Sequence, residues 1–408
     1  MSLNQEAFRI LLEHLPFHLD LLPQKAYIVG GAVRDALLKR QRKDWDIDFV
    51  LATDAIATAR KIADRYQAGF VVLDPVREIA RVVFAEGTLD FALQEGESLE
   101  TDLRRRDFTI NAIAFSPHTQ AIIDPLHGVT DLEKQQLTMV SRANLEDDPL
   151  RLLRAYRQAA QLNFTIEPHT RSTLRSLAPL LGNVAAERVQ TELGYLLTAP
   201  IGSQWIKAAW EDGLLSVWLR NVTIEKLQHL ENIDGVAELV AQQGLQTNTE
   251  QRKLAKLACL VSNNPKTAQA ELADLKYSRA DSRAVTTAVK HLPQLFKADT
   301  ALNSLRARYF FFLDVGDIFP IEVLLAAASG ANLETISPLI QHYINPKDQV
   351  AHPTPLVTGK DLMRSLSLRP SPVIGELLTA IQIARIEGKV TSPEEAIQFA
   401  SQEIDRLE

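Results

Sequence analysis

The sequence predicts an α/β head followed by an all-helical remainder, and three observations predict it. From Ala26 to about Asp124, short β-rich runs alternate with helical ones. From Pro149 onward the strand signal nearly vanishes and apolar residues recur at helical spacing, as in Leu150, Leu153 and Ala160, or Leu193, Leu196 and Leu197. The length of 408 residues is two to three times that of one domain, so more than one compact unit is expected. In chain order, MSLNQEAFRILLEHLPF reads as an amphipathic helix: Glu6 and Glu13 interrupt its apolar period, and it lacks the basic-then-apolar order of a secretory signal. Strands are expected at Ala26–Val29, Asp46–Leu51, Gly69–Leu73, Ile79–Phe84 and Thr88–Leu93. Helices are expected at Ala32–Leu38 and Asp54–Tyr66, the second capped by Thr53 or Asp54. Polar or proline-bearing breaks near Gln246–Glu250, Asn263–Lys266 and Asn345–Pro355 divide the helical part.

Composition narrows the function class. Hydrophobic residues make up 46% and charged residues 23%, the balance of a globular chain. The net charge of −7 excludes a uniformly basic nucleic-acid coat, so any nucleic-acid partner must be met by local basic patches. The one cysteine, Cys259, forms no intrachain disulfide and no cysteine-rich zinc site, which makes a reducing cytoplasm the expectation. The apolar stretch from Tyr309 to Ala331 is broken by Asp314, Asp317, Pro320 and Glu322, so no membrane span is expected.

Two features of the head carry chemistry. In a strand, Asp46 and Asp48 project from one face, and like charges so close are relieved by a cation. Mg²⁺ takes such carboxylates together with substrate phosphates, and Asp90 on a later strand offers a third. Asp44 shares the alternation, so the register of the pair stays open between Asp44 and Asp48; an exposed polar strand edge is the plainer reading of either. Upstream, Gly30 and Gly31 between strand and helix allow backbone N–H groups close to an anion, and Arg34 adds a charged fork. This is neither a dinucleotide fingerprint nor a Walker loop. Further on, Glu146-Asp147-Asp148-Pro149-Leu150-Arg151 reads as a helix start, with Asp148 at the cap and Pro149 in the first turn. Asp148 and Arg151 together suit a nucleobase edge: the carboxylate accepts from the amino group of cytosine or adenine, and the guanidinium donates to ring nitrogen and carbonyl.

Gly30-Gly31-Ala32-Val33-Arg34-Asp35, then Asp46-Ile47-Asp48, then Arg105-Arg106-Asp107-Phe108-Thr109-Ile110-Asn111-Ala112 resembles, in order and spacing, the class II tRNA nucleotidyltransferase (CCA-adding enzyme) and bacterial poly(A) polymerase family. The resemblance implies a head of the polymerase β-like nucleotidyltransferase type at 1–145 (core 26–124), a helical neck at 146–200, a helical body at 201–345 and a tRNA-binding helical tail at 346–408. It implies metals on Asp46 and Asp48, with Asp90 also catalytic. Gly30, Gly31, Arg34, Arg106, Asp107, Asp148, Arg151 and Arg154 would bind nucleotide. Asp147 stands where the family's base-reading motif usually has Glu, and is a further base-reading candidate. Asp124-Pro125-Leu126-His127-Gly128 is similar to the family's head-to-neck connector, one glycine short, while Glu187, Arg188 and Glu192 fit its neck motif. Gly359-Lys360-Asp361 looks like its tail turn, which makes Lys360 and Arg364, with nearby Arg369, candidates for tRNA phosphates.

Only residues 91–104 separate Asp90 from Arg105, where full CCA-adding members usually carry a longer flexible loop; the short form resembles the CC-adding subgroup. A rigid pocket held for cytosine has no lever to re-form for adenine. The nine histidines include no His-Asp dipeptide, so no attached phosphohydrolase domain is indicated. The expected activity is template-independent addition of CMP, as CC or full CCA, to the tRNA acceptor arm from CTP, with ATP used if CCA is made, and with Mg²⁺. A poly(A) polymerase and a catalytically silent RNA-binding protein are the rivals.

Overall fold

The computed structural model describes residues 8–9, 11–13, 15–40 and 45–407. Asp44 and much of the expected amino-terminal helix lie outside the described residues. Among the described residues the head is built on a sheet of seven strands: β1 (Ala26–Val29), β2 (Trp45–Leu51), β3 (Gly69–Asp74), β4 (Ile79–Phe84), β5 (Gly87–Leu93), β6 (Ala114–Phe115) and β7 (Ile122–Ile123). Their order is β3-β4-β5-β2-β1-β6-β7. The β2–β5 pair is parallel and its neighbours in the sheet are antiparallel.

Burial explains the register of β2. Ile47, Phe49 and Leu51 are buried while Asp46 and Asp48 are exposed, so the alternation sends apolar residues to one face and acids to the other. Phe49 lies opposite Phe91 of β5, and their rings stack with centroids 5.0 Å apart. The helix Ala55–Tyr66 buries Ala55, Ala59, Ile62 and Ala63. Asp54 stands at its start in the left-handed region, φ +54°, and its side chain makes no capping bond, contrary to the capping role expected of Thr53 or Asp54. The helix after β1 spans Gly31–Leu37, one residue earlier than the sequence suggests. Strands β6 and β7, and a parallel pair formed by Gln136–Leu137 and Thr165–Ile166, were not expected, because two residues show no period.

The chain divides into two compact units, Met1–Val217 and Trp218–Glu408. In the first, the sheet is followed by helices including Arg142–Asp147, Leu150–Leu162, Pro168–Leu177, Ala186–Thr198 and Gly202–Glu211. Apart from its short connections, the second is helical from Ile224 to Leu407. Several helices there open on side-chain caps that are legible in the sequence: Asn248 with Gln251 and Thr358 with Asp361 form capping boxes, and Asn264 precedes Pro265. The last three helices, Gly359–Leu366, Pro372–Ile386 and Pro393–Leu407, share a core that includes Leu362, Leu377, Ile381 and Ala396. No helix among the described residues is long and apolar enough to cross a membrane.

Candidate active site

The acids stand on the two strands of the parallel pair, where register fixes their neighbours. Asp46 lies opposite Thr88, whose hydroxyl donates to Asp46 Oδ1 at 2.6 Å, and Asp48 lies opposite Asp90. Asp48 is open to solvent yet ringed by protein. Desolvation, opposed by the Arg106 charge and reinforced by Asp90 and Asp46, pushes its carboxyl up to about 6. A divalent cation would relieve that condition, and two carboxylate oxygens on one face are a hard donor set suited to Mg²⁺. Among the described residues no three acidic, histidine or cysteine groups gather into a closed ligand set. Asp90 is bound elsewhere: both its oxygens accept from Arg81, from Nε and from Nη2, each at 2.7 Å.

Gly30 ends β1 with φ +71°, ψ −132°, a conformation that L side chains rarely adopt. A Cβ there would lie 3.3 Å from Arg106 Nη1 and 3.4 Å from Asp48 Oδ2. The glycine turn, the acid strand and the Arg106 segment therefore converge on one spot. Gly31 opens the short helix beside it. Arg106 Nη2 donates to Asp102 Oδ2 at 3.3 Å, but its buried Nε has no partner among the described residues.

Two residues expected to reach the nucleotide lie inward instead. Arg34 is buried, donating to Asp35 Oδ1 at 3.0 Å, Asn111 Oδ1 at 2.8 Å and Gln158 Oε1 at 3.4 Å. Asp107 is buried against Arg154, which donates from Nε at 3.1 Å and Nη2 at 2.9 Å, and it also accepts from Asn111 Nδ2 at 2.9 Å. Burial alone would raise the Asp107 carboxyl; Arg154 and the hydrogen bonds outweigh it and hold the group at about 2. Neither side chain presents a free charge to a phosphate, because the polar interior formed with Asn111 and Gln158 has taken it. Asn111 belongs to the Arg106-Asp107 motif; Gln158 sits 47 residues further on, on the helix Leu150–Leu162, and no sequence signal marks it.

The base-reading candidates flank the junction of two helices. Asp148 ends the helix Arg142–Asp147, and Pro149, not Asp148, is the formal cap of Leu150–Leu162; Asp148 Oδ1 still accepts from the Leu150 N–H at 3.3 Å. Its other oxygen accepts from Arg188 Nη2 at 2.9 Å. Arg151 Nη1 donates to the carbonyls of Arg105, 3.0 Å, and Asn144, 2.9 Å, while Asn144 Nδ2 donates to those of Arg104 and Arg106, each at 2.8 Å. Asn144, absent from the sequence reading, thus ties the Arg106 segment to the helices. Asp147 is exposed on the last turn. In the neck motif Glu192 is buried and accepts from Arg157 Nε at 2.5 Å, with Arg154 Nη1 at 3.8 Å; Glu187 is exposed.

The connector from β5 to Arg106 is short and tied at both ends. Asp102 Oδ1 accepts from the Glu95 N–H at 3.0 Å, Arg105 pairs with Glu95, and the helix Leu99–Leu103 opens on Ser98. At the following connector, Asp124 accepts from the N–H groups of Gly128, 2.8 Å, and Val129, 2.9 Å, and a Cβ on Gly128 would collide with the Thr109 carbonyl at 2.2 Å. In the second unit Lys360 and Arg364 are exposed on one short helix, where Asp361 accepts from Arg364 at 3.2 Å, and Arg369 is exposed beyond it.

Comparison with known proteins places these features. Residues 26–138 match the Poly A polymerase head domain, 163–224 the probable RNA and SrmB-binding site of polymerase A, and 245–400 a putative tRNA nucleotidyltransferase domain 2. A CC-adding tRNA nucleotidyltransferase of Synechocystis sp. is 50% identical over 403 residues, covering 96% of this chain and 97% of its own. An A-adding tRNA nucleotidyltransferase of Deinococcus radiodurans is 33% identical over 92% of this chain and 95% of its own. In fold, the chain resembles a CCA-adding enzyme solved in complex with CTP, with a TM-score of 0.78 and 22% identity over 99% of this chain and 98% of the other.

Proposed function

The chain belongs to the tRNA nucleotidyltransferase family, and from that premise we propose that it adds two CMP residues to the 3′ end of tRNA without a nucleic-acid template. The tRNA 3′-hydroxyl attacks the α-phosphate of CTP and pyrophosphate leaves. The observation that carries the reading is the convergence at Gly30, where Asp48 and Arg106 meet around a residue without a side chain and Arg106 keeps an unpartnered Nε. That corner suits a triphosphate beside a metal-binding carboxylate pair.

In this reading Asp46 and Asp48 hold Mg²⁺. When bound, the ion supplies charge neutralisation for the phosphates and lowers the pKa of the attacking hydroxyl. Arg106 binds phosphate oxygens from beside Gly30. Asp148 and Arg151 read the base: the carboxylate accepts the cytosine amino group and the guanidinium donates to its ring nitrogen and carbonyl. Buried Arg34 and Asp107, with half-buried Arg154, fix the helix Leu150–Leu162 to the Arg106 segment. The tied connector between Leu93 and Arg106 favours a pocket of one fixed geometry and so CC over CCA, in keeping with the 50% identical relative. The reading locates the enzyme with its tRNA in the cytoplasm.

The test is a tRNA transcript lacking its last three nucleotides, incubated with Mg²⁺ and CTP, ATP or both. Growth by two nucleotides with CTP and none beyond with ATP is expected. One more nucleotide with both would establish CCA addition, and a long tail from ATP a poly(A) polymerase. Asp46→Ala is expected to abolish extension while tRNA binding persists; full activity in that variant would overturn the choice of carboxylates.

A further inference from the structure

Arg81 belongs to none of the motifs read from the sequence, yet it occupies a carboxylate in the row of acids. Across three strands the register sets Asp48 of β2 opposite Asp90 of β5, and Asp90 opposite Arg81 of β4. Arg81 closes a fork on Asp90, one nitrogen to each oxygen at 2.7 Å, the bidentate geometry in which a guanidinium holds a carboxylate most firmly. The side chain of Asp90 is 19% exposed and that of Arg81 38%, so the pair is shielded mainly on the carboxylate side. The hydrogen bond to Asp90 raises the Arg81 pKa further, leaving its charge permanent.

Hold on a divalent cation rises with the number of charged oxygen ligands. Were Asp90 free, its place beside Asp48 would turn a two-carboxylate set into a three-carboxylate one, able to retain a bare cation without nucleotide. We propose that Arg81 is a positioning residue that keeps Asp90 out of the metal set, so that the head takes up its divalent cation together with the nucleotide triphosphate rather than before it. The proposal rests on the reading of Asp46 and Asp48 as the metal-binding pair. It leaves Asp90 bound to Arg81 beside that pair rather than on the ion, and it makes metal occupancy depend on the ligands that the triphosphate brings.

The experiment measures Mn²⁺ binding to the full-length protein by the electron paramagnetic resonance of free Mn²⁺, with and without CTP. Arg81→Met is expected to tighten nucleotide-free Mn²⁺ binding by about tenfold or more, through the added charged oxygen ligand, and to shrink the gain that CTP provides. Adding Asp90→Asn to that variant should remove the increase. Asp90→Asn alone should leave nucleotide-free Mn²⁺ affinity within about twofold of the parent, because Asp90 is not a ligand there. Arg81→Lys, a point charge that cannot fork, should fall between parent and Arg81→Met. Unchanged affinity in Arg81→Met, a gain that survives the second substitution, or a tenfold loss in Asp90→Asn alone would each overturn the proposal. If Arg81→Met fails to fold by circular dichroism, Arg81→Lys decides: nucleotide-free Mn²⁺ affinity equal to that of the parent would overturn the proposal, and tighter binding abolished by Asp90→Asn would support it. Asp46→Ala separates the two readings: if Mn²⁺ binding survives it, the carboxylate assignment falls and this proposal with it, whereas loss of binding in Asp46→Ala with no gain in Arg81→Met refutes the role of Arg81 alone.

Discussion

Glu322 is fully buried in the helix Phe319–Ala328, and neither of its carboxyl oxygens has a hydrogen-bond partner among the described residues. Burial pushes its pKa up to about 9 against 4.5 for a free side chain, with only partial relief from the Lys290 charge. Between those values the folded chain binds a proton that the unfolded chain has lost, so stability is full below the unfolded value and falls as pH rises towards 9. Glu322→Gln removes that linkage. Relative to the parent it should gain on the order of 3 kcal/mol in unfolding free energy between about pH 5 and pH 8, read from urea unfolding at each pH; parallel pH profiles would refute it. At this scale the sequence was a partial guide. Asp46 and Asp48 could be placed on one face by counting in twos, and Gly30 could be singled out as a turn. Arg34 could not be assigned to the interior, because the Asn111 and Gln158 amides that claim it arrive from 77 and 124 residues away, nor could Asp107, whose charged partner Arg154 arrives from 47.

Helices of the first unit are fastened through Asp212, just after the helix Gly202–Glu211. Its buried carboxylate accepts from Tyr156 Oη at 2.7 Å, Arg171 Nε at 2.6 Å and Arg175 Nε at 3.0 Å, joining Leu150–Leu162 and Pro168–Leu177. Burial opposes ionisation, but these donors win and keep the group below its ordinary pKa. Asp212→Asn leaves the Arg175 donors facing an amide. The Arg175 side chain is 62% exposed, so the loss should be about 2 kcal/mol, less than for a fully enclosed pair, and should appear as an earlier unfolding transition in tryptophan fluorescence, to which Trp205 beside Tyr156 contributes. An unshifted transition would show the cluster to be ornamental. Elements were the most legible level. The five long strands were found to within a residue at each end, since alternation and turn residues bound them; the two-residue strands offered neither. The Arg81–Asp90 pair was within reach too: β4 and β5 form a hairpin closing at Phe84 and Gly87, and counting three residues outward along each strand brings the two side chains opposite.

For the whole molecule, a net charge of −7 means that tRNA must be held by local cations. Binding should weaken steeply between about 50 and 200 mM salt, and replacing Lys360 and Arg364 together by alanine should lower the slope of log affinity against log salt by about 2, as measured by filter binding. An unchanged slope would remove that helix from the contact surface. No residue pattern distinguishes these two exposed cations from any solvated helix turn, which is why the sequence could propose them only by resemblance. The parallel strands that carry the acids are different in kind. β2 is fourth of seven and β5 third, each hydrogen-bonded on both flanks, whereas β3 and β7 form the margins. Local opening starts where backbone pairing is one-sided. The sheet can therefore fray at its borders many times over while Asp48, set between Val29 on one flank and Asp90 on the other, keeps its place; amide protons from Asp48 to Leu51 should be among the last of the head to exchange with deuterated solvent, and that of Asp46, which faces Thr88 on one flank and lies past the end of β1 on the other, should exchange sooner.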